Sequence, residues 1–164
     1  MISASPLRAP AFALLLVSCT AVRPVAAQEV AGPLTSAAMT FLAALDDQQR
    51  AKARHAFDSE ERFNWFYIPK DREGLPLKQM NAAQQQLALA AVQAGLSEAG
   101  YTKAETIRAL DMVLAEMEKD PVRRDIEKYY LTFFGTPAPG GTWGMRWEGH
   151  HLSLHWTVVN GKAI

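Results

Sequence analysis

Six polar residues of the types that enzymes use for catalysis lie close together near the carboxyl end of the chain. They are Arg146, Glu148, His150, His151, Ser153 and His155. Histidine can act as a general base or a metal ligand, and a carboxylate can act as a base or orient a histidine. We therefore consider a hydrolytic site in which His150 or His151 is the base or ligand. Glu148 would be the base or orienting group, and Arg146 would clamp an anion.

The spacing of these residues limits how they can cooperate. In a regular strand, the even-numbered members would share one face and the odd-numbered members the other. The odd-numbered face would then carry no charged residue, which suits the wall of a cleft. A bulge at Gly149 would shift Arg146 and Glu148 relative to the residues that follow.

A metal site within this segment would be incomplete. His151 and His155 would lie roughly 13 Å apart along a straight strand, too far to bind one zinc ion without a bend. Glu148 and His150 are the better pair of ligands, but Arg146 on their face would repel a cation. The cofactor is therefore unknown, with a divalent metal as one option that needs ligands from elsewhere.

A serine nucleophile is disfavoured by the same geometry. Ser153 has a histidine two residues away on each side, but same-face neighbours in one strand do not normally approach within the required 2.6–3.2 Å or so. The chain also lacks a Gly-x-Ser-x-Gly elbow and a His-Glu-x-x-His helix. The alternative is structural: Arg146 and Glu148 form a satisfied ion pair, and His150 is buried and bonded to backbone.

A second group of residues could bind a ligand. An aromatic wall for a sugar or peptide could be formed by Trp65, Tyr67, Trp143 and Trp147, with Ser153 and His155 as further ligand-binding candidates. Core packing is the alternative for the aromatic residues. The aromatic segment is flanked by three basic residues, which could bind an anion or keep a surface loop soluble: Arg62, Lys70 and Arg72.

Helical patterns dominate the first part of the chain. Thr35 is a candidate cap for a helix through about Ala44. Capping boxes at Asp46 and at Asn81 predict helices from there to about Ala56 and to Gly95 or Gly100. His55 would then lie on a polar helix, exposed to solvent. Another box at Thr102 predicts a helix that carries an apolar stripe and ends at Asp120-Pro121.

The pattern changes to strands after residue 128. Residues 130–134 read as one strand, and 143–147 and 150–159 read as two more, joined at Gly149 as a hairpin or a bulged strand. Asn160-Gly161 is a strong tight-turn signal that predicts a further strand. The sequence thus predicts an α+β domain, with N-terminal helices packed on an antiparallel sheet of C-terminal strands.

The first residues resemble an export signal. Arg8, a short apolar run and the small residues before Gln28 predict a signal peptide over residues 1–27. The run is too short to span a bilayer, which needs about 20 apolar residues. Alternatively, Leu16-Val17-Ser18-Cys19 resembles a lipobox, in which case Cys19 would carry a lipid anchor. Both readings predict an exported protein, periplasmic or extracellular, or anchored to a membrane as a lipoprotein.

Composition fits one domain after that segment. Residues 28–34 read as a linker and 35–164 as a single domain. The whole chain has 17 basic and 17 acidic residues, so there is no electrostatic case for a nucleic-acid partner. No other segment predicts a transmembrane helix, and the partner is an unknown small molecule or peptide.

Several of these segments, in order, resemble the exported bacterial family called domain of unknown function 3500. The matching motifs are Asn64-Trp65-Phe66-Tyr67-Ile68-Pro69, Gly74-Leu75-Pro76-Leu77, Gly95-Leu96-Ser97, Gly100-Tyr101, Tyr130 to Gly135, and Trp143-Gly144 followed by Gly149-His150-His151-Leu152-Ser153-Leu154. The resemblance covers about Met39 to Val159. It implies an exported protein without an established activity, and a longer chain whose second half would complete the sheet. Two residues depart from the expected pattern, His155 in place of Asn and Phe66 in place of His.

Two functions follow from these observations. The first is an extracytoplasmic enzyme, most plausibly a hydrolase, with a polar cleft at the Gly149-His150-His151 strand. The second is a non-catalytic binding or envelope-associated module, in which the same residues serve the fold.

Overall fold

A computed structural model describes residues 27–164. The helices are α1 (Ala27–Ala43), α2 (Asp47–Ala53), α3 (Ala82–Ala94) and α4 (Glu98–Glu118), with 3-10 turns at Glu60–Phe63 and Leu77–Gln79. The strands are β1 (Arg54–His55), β2 (Leu75–Pro76), β3 (Tyr130–Gly135), β4 (Trp143–Gly149), β5 (Leu152–Val159) and β6 (Lys162–Ala163). Residues 1–26, with most of the proposed signal peptide and Cys19, lie outside the described part.

The strands form one sheet in the order β1-β3-β4-β5-β6, with β2 also paired to β3. The β1–β3 pair is parallel and the other pairs are antiparallel. The α+β prediction is therefore confirmed. None of the described helices has the length and apolar character needed to cross a membrane.

Residues 28–34 are helical, so the linker prediction is wrong. Buried Ala31, Leu34, Ala38 and Phe41 follow a helical period, and their burial outweighs the poor helix propensity of Pro33. Thr35 is not a cap, because its hydroxyl donates to the carbonyl of Ala31 one turn earlier, at 2.6 Å.

The predicted capping boxes at Asp46 and Asn81 both form, with Gln49 and Gln84 as their reciprocal partners. The box at Thr102 does not, because Ser97 caps α4 one turn earlier and leaves Thr102 inside the helix. Helix α2 is shorter than predicted, and His55 therefore lies half-buried on the edge strand β1 rather than on a polar helix.

One face of the sheet carries the core. It presents Phe133, Met145, Trp143 and Trp147, all at most 1% exposed, to the helices. Phe133 stacks on Phe41 of α1 with ring centroids 5.9 Å apart. The opposite face is more polar, and the irregular segment between β1 and β2 covers it.

β4 and β5 form a hairpin, and this changes which polar residues share a face. Arg146 lies opposite His155, and Glu148 lies opposite Ser153. Directly opposed residues point to the same side of a sheet. Arg146 and Glu148 therefore share a face with Ser153 and His155, opposite to the assignment for one regular strand, because the turn after Gly149 resets the alternation.

The tight turn predicted at Asn160-Gly161 also forms. Both residues have positive φ, 50° and 74°, and β6 folds back on β5. Paired positive φ values are typical of a two-residue hairpin turn, which explains the Asn-Gly sequence.

Candidate functional site

His150 and His151 occupy the turn between β4 and β5. His151 has a φ of 55°, and its backbone N–H donates to the carbonyl of Tyr67 at 2.9 Å. Gly149 precedes them because a Cβ there would lie 2.4 Å from the ring of Tyr129. The Tyr129 hydroxyl in turn donates to the carbonyl of His150 at 2.8 Å. The turn is thus fixed from both sides.

The side chain of His150 pairs with a carboxylate from helix α4. Nδ1 of His150 lies 2.7 Å from Oδ1 of Asp111. Both groups are buried, with exposed fractions of 8% for His150 and 3% for Asp111. Burial lowers the pKa of His150 from its usual 6.5, although the hydrogen bond that its ring donates to Asp111 and the negative charge of Asp111 oppose this shift. A neutral imidazole with Nδ1–H bonded to Asp111 keeps a lone pair on Nε2.

Arg124 covers this imidazole. Its Nη1 lies 3.0 Å from Nε2 and 3.2 Å from Nδ1 of His150. The same guanidinium pairs with Glu118 at the end of α4, at 2.7 Å. A ligand could therefore reach Nε2 only if Arg124 moved or bound it as well.

A cavity of about 10 Å³ lies beside His150 and Asp111. That volume holds about one water molecule. Lys70, Arg72 and Lys128 are among the residues that line it, so the surroundings of the Asp111–His150 pair are predominantly basic.

His151 lies on the solvent side of the turn. Its ring centroid is 4.0 Å from that of His150 and 6.2 Å from that of Tyr67. His151 is exposed, and the structure therefore places it at the entrance of the site, between His150 and the aromatic segment.

Arg146 and Glu148 do not join this site. Arg146 is fully buried, donates to the carbonyls of Glu61 and Asn64, and pairs with the carboxylates of Glu61 and Glu148 at 2.6 and 3.0 Å. Its predicted role as anion clamp is incompatible with this complete burial, because no ligand can reach it.

Glu148 is equally committed to the fold. Its Oε1 accepts from the backbone of Phe66 at 2.7 Å and from Nε of Arg72 at 2.8 Å. It lies between two guanidinium groups and is 1% exposed, so it has no access to a substrate. The arginine–glutamate network therefore holds residues 61–72 on the sheet, as the structural alternative proposed.

Ser153 and His155 are closer together than the strand geometry predicted. Ser153 Oγ lies 2.9 Å from His155 Nε2, so the two side chains lean towards each other on one face of β5. Burial and the positive charge of Arg146 lower the pKa of His155. Among the described residues, however, no carboxylate hydrogen-bonds its imidazole, whereas Asp111 orients His150.

The structure buries part of the predicted aromatic wall and exposes the rest. Trp143 and Trp147 are fully buried in the core, whereas Trp65 is 55% and Tyr67 62% exposed. Only the latter two are available to a ligand. Arg72, considered as a surface residue, is instead a buried partner of Glu148, with its side chain 2% exposed.

Sequence reasoning missed Asp111, Arg124 and Tyr129. Asp111 carries the one detectable signal, because it lies seven positions after the buried Ala104 and so on the inward side of α4. A charged residue on the inward side of a helix indicates that it has a buried partner. Arg124 lies in an irregular segment, where no helical or strand period predicts which way its side chain points.

The residues that the structure describes contain no group of three or more His, Cys, Asp or Glu arranged to hold a metal ion. The family model described as "Protein of unknown function (DUF3500)" matches residues 27–164. Neither the curated proteins nor the solved structures contain a significant match.

Proposed function

The chain belongs to the DUF3500 family of proteins of unknown function, and we propose that it is an exported enzyme of the hydrolase type. The observation that carries the proposal is the buried 2.7 Å contact between Asp111 and His150. A carboxylate that fixes Nδ1–H orients the imidazole and stabilises its protonated form during proton transfer. The unoriented Ser153–His155 pair lacks this element.

In the proposed reaction, ester hydrolysis, His150 carries one proton from the attacking water molecule to the leaving group. Nε2 of His150 removes a proton from a water molecule, and the water oxygen attacks the carbonyl carbon of an ester. Arg124 moves from Nε2 to the developing oxyanion, where a positive charge lowers the barrier. When the carbon–oxygen bond breaks, the leaving alkoxide takes the proton from Nε2, which restores neutral His150.

Export is proposed from the sequence of residues 1–27, which carries a charged start, an apolar run and small residues. Release after Ala27 and lipidation at Cys19 remain alternatives with different products. The mass of the mature N-terminus separates them, because only the second product retains Cys19 and carries fatty acid.

A non-catalytic module is the second candidate. It is favoured by Arg146 and Glu148, which sequence analysis placed in the site but which serve the fold. On this reading, the Asp111–His150 pair anchors the β4–β5 turn to α4 in the same way.

A substrate panel distinguishes the two functions. We expect the full-length protein to hydrolyse at least one of a set of chromogenic esters, amides, phosphates and glycosides, and His150→Asn to abolish this activity. Activity should persist below pH 6.5, because burial lowers the pKa of the base, and fall only when His150 is protonated. His55→Asn, on the distant edge strand β1, serves as the matched control. Absence of turnover, or turnover unaffected by His150→Asn, rejects the enzyme.

A further inference from the structure

Four large apolar side chains project into solvent from one short segment. The exposed fractions are 72% for Phe63, 55% for Trp65, 62% for Tyr67 and 46% for Ile68. Isolated exposed apolar residues are normal, but a cluster of them marks an interaction surface. No role in the core accounts for these four.

The backbone beneath these side chains is held in place. Arg72 donates to the carbonyls of Phe66, Ile68 and Lys70, and Arg146 donates to those of Glu61 and Asn64. Two buried guanidinium groups thus fix an irregular segment that exposes aromatic rings. The same bonds occupy the carbonyls that an added peptide strand would need, which argues against strand addition here.

The same segment borders a polar cleft of about 250 Å³, which is lined by Asn64 and Phe66, the neighbours of Trp65 in sequence, and by Lys70 and Glu73 among others. These side chains offer both hydrogen-bond donors and acceptors. A sugar ring has apolar C–H faces and hydroxyl groups at its edge, so it matches a segment that offers both exposed aromatic rings and a polar cleft. We propose that residues 63–73 form a saccharide-binding surface, in which Trp65 and Tyr67 stack on sugar rings and the cleft binds their hydroxyl groups.

The exposed charges argue against a membrane surface. Within residues 58–73, the exposed acidic residues outnumber the exposed basic ones by four to one. The acidic residues are Asp58, Glu60, Asp71 and Glu73, and the basic residue is Lys70. Interfacial segments that bind anionic lipid are instead rich in lysine and arginine. A neutral saccharide meets no such repulsion.

The surface leads to the proposed catalytic pair. Tyr67 stacks on His151, whose ring lies 4.0 Å from that of His150. A saccharide bound over Tyr67 would therefore lie near the His150–His151 turn, which makes an ester substituent of a glycan the substrate class. This link rests on the proposed function, whereas saccharide binding itself does not.

Binding is tested by gel retardation of the full-length protein in soluble glucan, xylan and galactomannan, and by co-sedimentation with peptidoglycan. We expect retention by at least one of these, weakened by about tenfold or more in Trp65→Ala/Tyr67→Ala, since two stacking contacts are lost. Trp65→Phe/Tyr67→Phe should retain binding, which separates ring loss from misfolding. Met117→Ala, at an equally exposed site on α4, should bind like the wild type.

Turnover is measured on the same saccharides: binding without hydrolysis would reject the catalytic proposal and leave this one intact, so that failure of the catalytic proposal and failure of this one give different results. The proposal is overturned if no saccharide binds, or if the double alanine variant binds as well as the wild type. It is also overturned if the rings prove necessary only for binding to vesicles of phosphatidylcholine and phosphatidylglycerol.

Discussion

Arg146, Glu148 and His150 alternate along the chain, yet they serve different parts of the molecule. The first two lie on the polar face of β4 and bond to the segment that covers it. His150 lies beyond the last residue of the strand, where the turn directs it towards α4. The residue types predicted that all three belong to one site. The turn after Gly149, which packs on Tyr129, places His150 apart from the other two.

Arg146→Ala tests the structural role of the network. The change removes the arginine partner of Glu61 and leaves Glu148 with Arg72 alone. Breaking a buried ion pair by removing one partner costs about 3–5 kcal/mol. The free energy of unfolding in urea should fall by about that amount. Arg54→Ala removes an exposed arginine that donates to Thr136 and should change stability by about 0.5 kcal/mol or less. Equal effects of the two substitutions would contradict a structural role for the network.

Among the elements, α1 differs most from its prediction. Residues 28–34 were predicted as a linker and Thr35 as the cap of the helix that follows, and Gly32-Pro33 lies within that stretch as a poor helix-forming pair. The period of the buried residues Ala31, Leu34, Ala38 and Phe41 continues through this pair. Local propensity and tertiary burial compete here, and burial determines the outcome.

Pro33→Ala tests that outcome. Pro33 is exposed and lies inside the helix, where it removes one backbone hydrogen bond and loses no packing when replaced. We expect the free energy of unfolding to rise by about 1–2 kcal/mol, below the roughly 3 kcal/mol cost of an interior proline because the unfolded chain also gains freedom. Pro139→Ala, in the exposed β3–β4 loop, should not stabilise. An unchanged stability of Pro33→Ala would indicate that residues 28–34 are not helical.

At the scale of the whole molecule, the sequence predicted the α+β class, the two capping boxes and the β-strand pattern well. These features depend on short-range spacing. The site required long-range information: the pairing of Glu148 with Ser153, the approach of α4 to the β4–β5 turn, and the position of Arg124 over His150. No local pattern encodes such distances, which explains why Asp111 was missed.

The central claim is that Asp111 orients His150 as a catalytic base, and Asp111→Asn tests it most directly. The amide has the same shape and can donate to Nδ1, which places the ring proton on Nε2 and removes the lone pair that the base needs. On the substrate that the panel identifies, we expect kcat to fall by at least about 100-fold, with folding confirmed by the melting temperature. A kcat within about twofold of the wild type, in a folded variant, would contradict the account.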